Sequence, residues 1–265
     1  AEALQTWSKG NLRPKDVFVF SSYVRSWASD DETLVAGLYD GRVQAMDWSS
    51  RRVGRPFAGR HGDEVTAVAV NGEHVLSGSG DPGYYARPPS DASVKLWRRA
   101  DGALLGSSAH HRDSVRAVVL FPTGGVLSGY AVSGSLDAKA SLMSLAPFQP
   151  VASVGLPGPC RSLQVVLPVS ASSRPVSGSE MRVLASAGEH VVELAIRATS
   201  SSSAPSFSLL RSISPCMPAC LISGMTCHAR PSVWERSLVG ESYPASLLAE
   251  PDFFVAGGTV DGQVW

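Results

Sequence analysis

A three-part pattern between His61 and Trp97 constrains this chain more than any other feature. It reads His61-Gly-Asp-Glu-Val65, then Val75-Leu-Ser-Gly-Ser-Gly-Asp81, then Asp91-Ala-Ser-Val-Lys-Leu-Trp97. The apolar run from Val65 to Val70, the Ser-Gly-Ser strand end and the closing Val-Lys-Leu-Trp alternate with period two, so they predict three short β-strands. One such unit cannot bury both of its faces, and copies should follow. They do. His111-Arg-Asp-Ser-Val115 repeats the first spacing, and Val132 to Met143 repeats the strand end, the turn Asp137 and the third strand, with Met143 in the place of the Trp. Upstream, Leu34 to Met46 carries the turn Asp40 and again ends on Met. Downstream, Val183 to Leu194 is a worn copy without the Asp or the Trp, and Phe254 to Trp265 starts a fifth.

This combination resembles the WD-repeat β-propeller family, which implies an all-β fold of four-stranded blades. In that family the loop His, a strand Ser, the turn Asp and the Trp form a hydrogen-bonded chain. The resemblance places His61, Ser77, Asp91 and Trp97 in that chain, with His111, Asp137 and Asp40 as the matching positions of neighbouring units. A fully satisfied buried network rigidifies its blade, so these residues read as structural pins rather than as catalytic groups. Propellers of the family close with about seven or eight blades of roughly 40–45 residues. About five blades are legible here. Trp265 falls short of where its third strand should end, so the expectation is a propeller over 17–265 cut short at its C-terminal end, led in by a linker over 1–16.

Leu4-Gln-Thr-Trp7-Ser-Lys-Gly10-Asn-Leu12-Arg-Pro-Lys15 resembles the joint of F-box/WD-repeat proteins. There a helical F-box docks a ubiquitin-ligase adaptor and the propeller captures the substrate. On that resemblance Val17 to Phe20 is the outer strand that closes the ring with the last blade. Family members that bind phosphorylated segments place arginines just after the first-strand Val; the matching residues are Arg25, Thr66 and Arg116 in the first three units and, on a looser alignment, Arg161 in the fourth. Three arginines converging on one mouth could hold a phosphate or carboxylate cluster through bidentate contacts. The alternative is that they are paired to local acids such as Asp113. A second partner-binding candidate is the insertion Asp81 to Ser90, where Tyr84, Tyr85 and Arg87 are stiffened by three prolines. Such side chains bury contact area at low entropic cost. The competing reading is a loop folded onto its own blade.

The remaining features exclude more than they propose. The chain is 44% hydrophobic and 17% charged, with 25 Gly and 18 Pro to supply turns. Its formal net charge is zero, so nothing favours nucleic acid or an anionic membrane as a partner. The uncharged stretch from Ala117 to Gly134 is broken by Pro122, Gly124, Gly125 and Gly129, which fits two strands and a turn rather than a membrane helix. Cys216, Cys220, Cys227 and His228 match no common zinc spacing, so the cysteines read as buried or loop thiols, and no metal or cofactor is expected. His110, adjacent to His111, replaces the family's usual Gly, and in an extended segment the two side chains would point apart. Ser170 to Ser179 and Thr199 to Ser206 are Ser/Pro-rich and read as loop expansions. No nucleophile elbow, phosphate-binding loop or HExxH motif is present, so an enzyme is not expected. The expectation is a cytoplasmic or nuclear protein-interaction module that binds protein or peptide partners, acidic or phosphorylated segments among them. It is either an F-box/WD-repeat substrate receptor or a scaffold subunit of a large assembly.

Overall fold

The structure is a computed structural model that describes residues 3–7, 14–81, 89–125, 127–166, 180–198, 205–213, 222–229 and 253–259, with the backbone alone for 3–7, 14–17, 222–229 and 253–259. The described residues are β-strands and turns. Four antiparallel sheets of four strands follow one another along the chain, each with its strands in sequence order. The first holds β3 (Val24–Ser29), β4 (Thr33–Leu38), β5 (Val43–Asp47) and β6 (Arg52–Pro56); the second holds β7 (Val65–Val70), β8 (His74–Ser79), β9 (Val94–Arg98) and β10 (Leu104–Ser108). The third holds β11 (Val115–Leu120), β12 (Tyr130–Ser135), β13 (Lys139–Leu145) and β14 (Phe148–Gly155); the fourth holds β15 (Cys160–Val166), β16 (Glu180–Ala187), β17 (His190–Arg197) and β18 (Ser206–Ile213). Two hairpins flank them: β1 (Ala3–Trp7) with β2 (Pro14–Val19), and β19 (Ile222–Ala229) with β20 (Phe253–Thr259).

The stretch 1–16, read from sequence as a linker, therefore contains a paired strand. Trp7 lies opposite Pro14, at the end of the pair where the chain passes from β1 to β2, much as Trp97 lies opposite Leu104 in β9–β10. β2 pairs with β1, and Phe18 and Phe20 are buried against Leu34, Leu38 and Met46 of the first sheet. The segment expected to close a ring with the last unit thus forms a hairpin with β1. Its aromatic side chains find apolar surface on the sheet that follows.

Successive sheets pack face to face, with each first strand lying along the next: β3 on β7, β7 on β11, β11 on β15 and β15 on β19. Small residues in the second strands make this approach possible. A Cβ added to Gly37 would meet Val65 Cγ1 at 2.5 Å, and one added to Gly78 would meet Val115 Cγ1 at 2.5 Å. One added to Gly134 would run into Cys160 Sγ. The first residue of each sheet thus plugs a glycine socket in the sheet before it. Around these plugs lie the inter-sheet cores, such as Val35, Val43, Val65, Val75 and Trp97 between the first and second sheets.

The fourth sheet departs from this scheme. Val183, Ala185, Val192 and Leu194 face the third sheet, while Glu193 occupies the third-strand position held by Leu96 and Leu142 in the two sheets before it. Glu193 is buried and bonded to Arg182 Nη1 at 2.8 Å and Arg211 Nε at 2.5 Å. Strands on either side of β17 thus supply the two cations that a buried carboxylate requires. Arg182 also reaches Glu180, which holds Arg197 at 2.7 Å.

Candidate functional site

The loop ends of the first strands gather the residues singled out by the repeat, and the second sheet shows why its signature has those residue types. His61 Nε2 lies 2.7 Å from Ser77 Oγ, and Trp97 Nε1 donates to the same oxygen at 2.9 Å. On its other side His61 Nδ1 faces Asp91 Oδ2 at 3.2 Å and Ser93 Oγ at 3.1 Å. Asp91 also accepts from the backbone N–H of Gly62 at 2.8 Å and of Ser93 at 2.8 Å. Burial lowers the pKa of His61 and outweighs the opposing pull of Asp91. Burial raises that of Asp91, but the bonds from His61, Ser93 and Gly62 prevail and hold it below the usual carboxylate range.

An Asp-His-Ser order invites comparison with a nucleophilic triad. Ser77, His61 and Trp97 are each 0% exposed, and the Ser77 oxygen already accepts from the indole. No substrate atom can reach it. The network ties the loop before β7 to the β8–β9 side of its own sheet and acts as a pin.

The third sheet keeps half of this device and rebuilds the other half. His111 Nε2 lies 2.9 Å from Ser133 Oγ and His111 Nδ1 lies 3.1 Å from Asp137 Oδ2, which also accepts from the backbone N–H of Arg112 at 3.0 Å. Met143 fills the Trp position and cannot donate. His110 takes over: its Nε2 lies 3.4 Å from Ser133 Oγ and its Nδ1 lies 3.0 Å from Ser108 Oγ. The two rings sit 4.2 Å apart between centroids, tilted by 42°. The expectation that their side chains point apart is therefore corrected. Residues 109–111 form no strand and lead into a bend, so adjacent side chains can converge on one serine.

The first and fourth sheets replace the polar chain with apolar groups. Phe20 stands where His61 stands, with Ala36 and Met46 in the places of Ser77 and Trp97; in the fourth sheet Leu156, Ala185 and Leu194 play the same parts. Asp40, named with the network from sequence, consequently has no histidine to hold. Its carboxylate instead accepts from the Arg42 N–H at 3.2 Å and lies 3.7 Å from Arg42 Nε within the turn. An aspartate alone does not mark the network; it needs the His and Ser of the same unit.

The arginine positions share an origin that the sequence does not display. In each first strand the register slips by one residue: between Val24 and Ser26, Val65 and Ala67, Val115 and Ala117, and Cys160 and Ser162. Arg25, Thr66, Arg116 and Arg161 are the bulged residues, and a bulge re-aims the side chain it carries. Because the first strands lie side by side, these four make a row along their loop ends. Arg25 Nε meets Glu64 Oε2 at 2.5 Å, and Glu64 is nearly buried, which raises its pKa despite the Arg25 charge. Thr66 Oγ1 donates to the Val115 carbonyl of the next sheet, as Ser26 Oγ does to the Val65 carbonyl at 2.8 Å. Arg116 and Arg161 are half-buried. Arg161 Nε is buried with no hydrogen-bond partner among the described residues.

Tyr84, Tyr85 and Arg87 lie outside the described residues, as do Cys216 and Cys220. Cys227 and His228 are successive residues of β19, opposite Val255 and Phe254. Among the described residues no group of three or more His, Cys, Asp or Glu is placed to hold a metal ion. Cys160 is buried in the Gly134 socket, and burial pushes its thiol up to about 12, which leaves it a packing residue. Sequence reasoning missed Glu64 and the bridging role of His110. The second had a signal, since one unit lost its Trp and gained a His.

No protein-family model matches the chain, and no curated protein matches it. Among solved structures it is similar to the computationally designed Ika4 protein, at 19% identity and a TM-score of 0.49, over 72% of this chain and 92% of that one. A likeness at that level carries no argument about either fold family or activity.

Proposed function

We propose that the sheets are blades of a WD-repeat β-propeller and that the chain is a non-enzymatic protein-binding module. The observation that carries this reading is the His61–Ser77–Trp97–Asp91 network, set on one of four successive four-stranded meanders and half-repeated on the next. Its polar groups are consumed in holding loops, which leaves the row of bulged residues and the loops beside it as the surface for a partner. The scaffold reading gains from the Arg25–Glu64 pair, because a residue offered to an anionic substrate is here neutralised within the chain. The F-box reading rests on the resemblance of residues 4–15 alone, of which Leu4 to Trp7 and Pro14 to Lys15 fall on the paired strands β1 and β2.

An anion-binding role stays attached to Arg161, whose buried Nε has a donor to spare, and to Arg116 beside it. The test is affinity capture from cell extract with the chain as bait, followed by binding measurements on the recovered partner. Arg116→Ala with Arg161→Ala should weaken that partner by about 2 kcal/mol, or roughly thirtyfold. Unchanged affinity would move the binding surface off the first-strand row and onto the sides of the sheets. Recovery of a ligase adaptor and cullin would restore the receptor reading.

A further inference from the structure

The third sheet differs from the second in one respect with chemical consequences: the donor at the end of its network can titrate. Proton positions follow from the partners. The Asp137 carboxylate only accepts, so His111 Nδ1–H donates to it and His111 Nε2 accepts from the Ser133 hydroxyl. Ser133 Oγ then accepts from His110 Nε2–H, and His110 Nδ1 accepts from the Ser108 hydroxyl. The result is one directed chain, Ser108 to His110 to Ser133 to His111 to Asp137. It runs with both imidazoles neutral, their rings 4.2 Å apart. In the second sheet the indole of Trp97 fills the place of His110 and takes up no proton.

We propose that the Ser108–His110–Ser133–His111–Asp137 chain is an acid-sensitive latch that holds the segment 109–116, and with it the bulged Arg116, in its folded position. The groups around the pair leave little to stabilise a second charge. β10 brings the Ser108 hydroxyl, β12 brings that of Ser133 and, against Asp137, that of Ser135, the turn brings Asp137, and Lys139 at the start of β13 acts against a charge on His111. Burial pushes His110 down to about 4, with the neighbouring ring adding to the effect, and burial likewise lowers His111 against the pull of Asp137. A histidine held below its ordinary value contributes stability at neutral pH. That contribution is lost as pH falls through the unperturbed value near 6.5 toward the depressed one, because the opened segment binds the proton and the closed one does not.

Amide hydrogen exchange on the intact chain tests the latch without any partner. After division by intrinsic rates, residues 109–116 should open about twentyfold or more at about pH 5 relative to about pH 7.5, the factor that follows from His110 moving between the ordinary 6.5 and about 4. His110→Gln keeps a donor and an acceptor but cannot titrate, and should lower that ratio by about twentyfold, leaving the share of His111. The segment before Val65, held by a single imidazole, serves as the internal comparison and should not respond to the substitution. His110→Asn provides a second neutral amide should the Gln variant fold poorly. A wild-type ratio near one, or a ratio that survives both substitutions, overturns the latch. The consequence for binding rests on the function proposed above. Exchange that behaves as stated while partner capture stays constant across the same pH interval would fault the first-strand row as the binding surface, not the latch.

Discussion

Trp97→Ala should cost about 4 kcal/mol of stability and lower the melting temperature by roughly 10 °C. The side chain is 0% exposed and packs with Val35, Val43, Val65 and Val75 in the core between the first two sheets, its ring 6.0 Å from that of Phe57. Truncation removes the largest fully buried side chain of that core and leaves a cavity that two rigid sheets cannot close. It also removes the indole donor to Ser77, although His61 still bonds that hydroxyl. Trp97→Phe separates the two effects: it keeps most of the volume, loses the donor, and should cost about 1 kcal/mol. Urea or thermal unfolding of the three proteins decides the matter. Equal losses for the two variants would mean that the hydrogen bond, not the packing, is what Trp97 contributes.

Gly78→Val should destabilise by about 3 kcal/mol or more, close to the upper range for overpacking a core. A Cβ alone at Gly78 would lie 2.5 Å from Val115 Cγ1 and 2.9 Å from Val115 Cβ, both on a buried side chain at the start of the next sheet. Neither neighbour can swing away, because Val115 is 0% exposed and its strand is paired on β12. The glycine needs no unusual backbone conformation, so the cost is purely steric. That gives the prediction a direct rescue: Val115→Gly in the same chain should recover part of the loss, since it empties the space the new side chain needs. If the double variant unfolds at the sum of the two single costs, the sheets do not meet at this socket.

The strands and the pins of the second sheet were readable from sequence because they are local. Val65, Ser77, Asp91 and Trp97 fall within one unit, and period-two alternation between turn residues is enough to order them. The third sheet was half readable. His111 and Asp137 kept their spacing, but the role of His110 depends on a backbone bend that turns two adjacent side chains onto one serine. Asp40 shows the converse, where a matching letter carries no matching bond because Phe20 stands opposite. Trp7 and Pro14 fit a lead-in and a strand pair equally well in the sequence, and only the pairing of β1 with β2 distinguishes the two.

Sequence alone determined that this chain is built from repeated short strands, where its turns lie, and which residues pin a loop to its own sheet. Spacing within a unit encodes these, since they require contacts only between near neighbours along the chain. Tertiary structure decided how one unit meets the next. The pairing of Arg25 with Glu64, the plugging of Gly37, Gly78 and Gly134 by the following sheet, and the common bulge that carries Arg25, Thr66, Arg116 and Arg161 all arise where first strands lie side by side. Those contacts depend on which face of a sheet is covered and how closely its neighbour approaches, and no residue spacing states either.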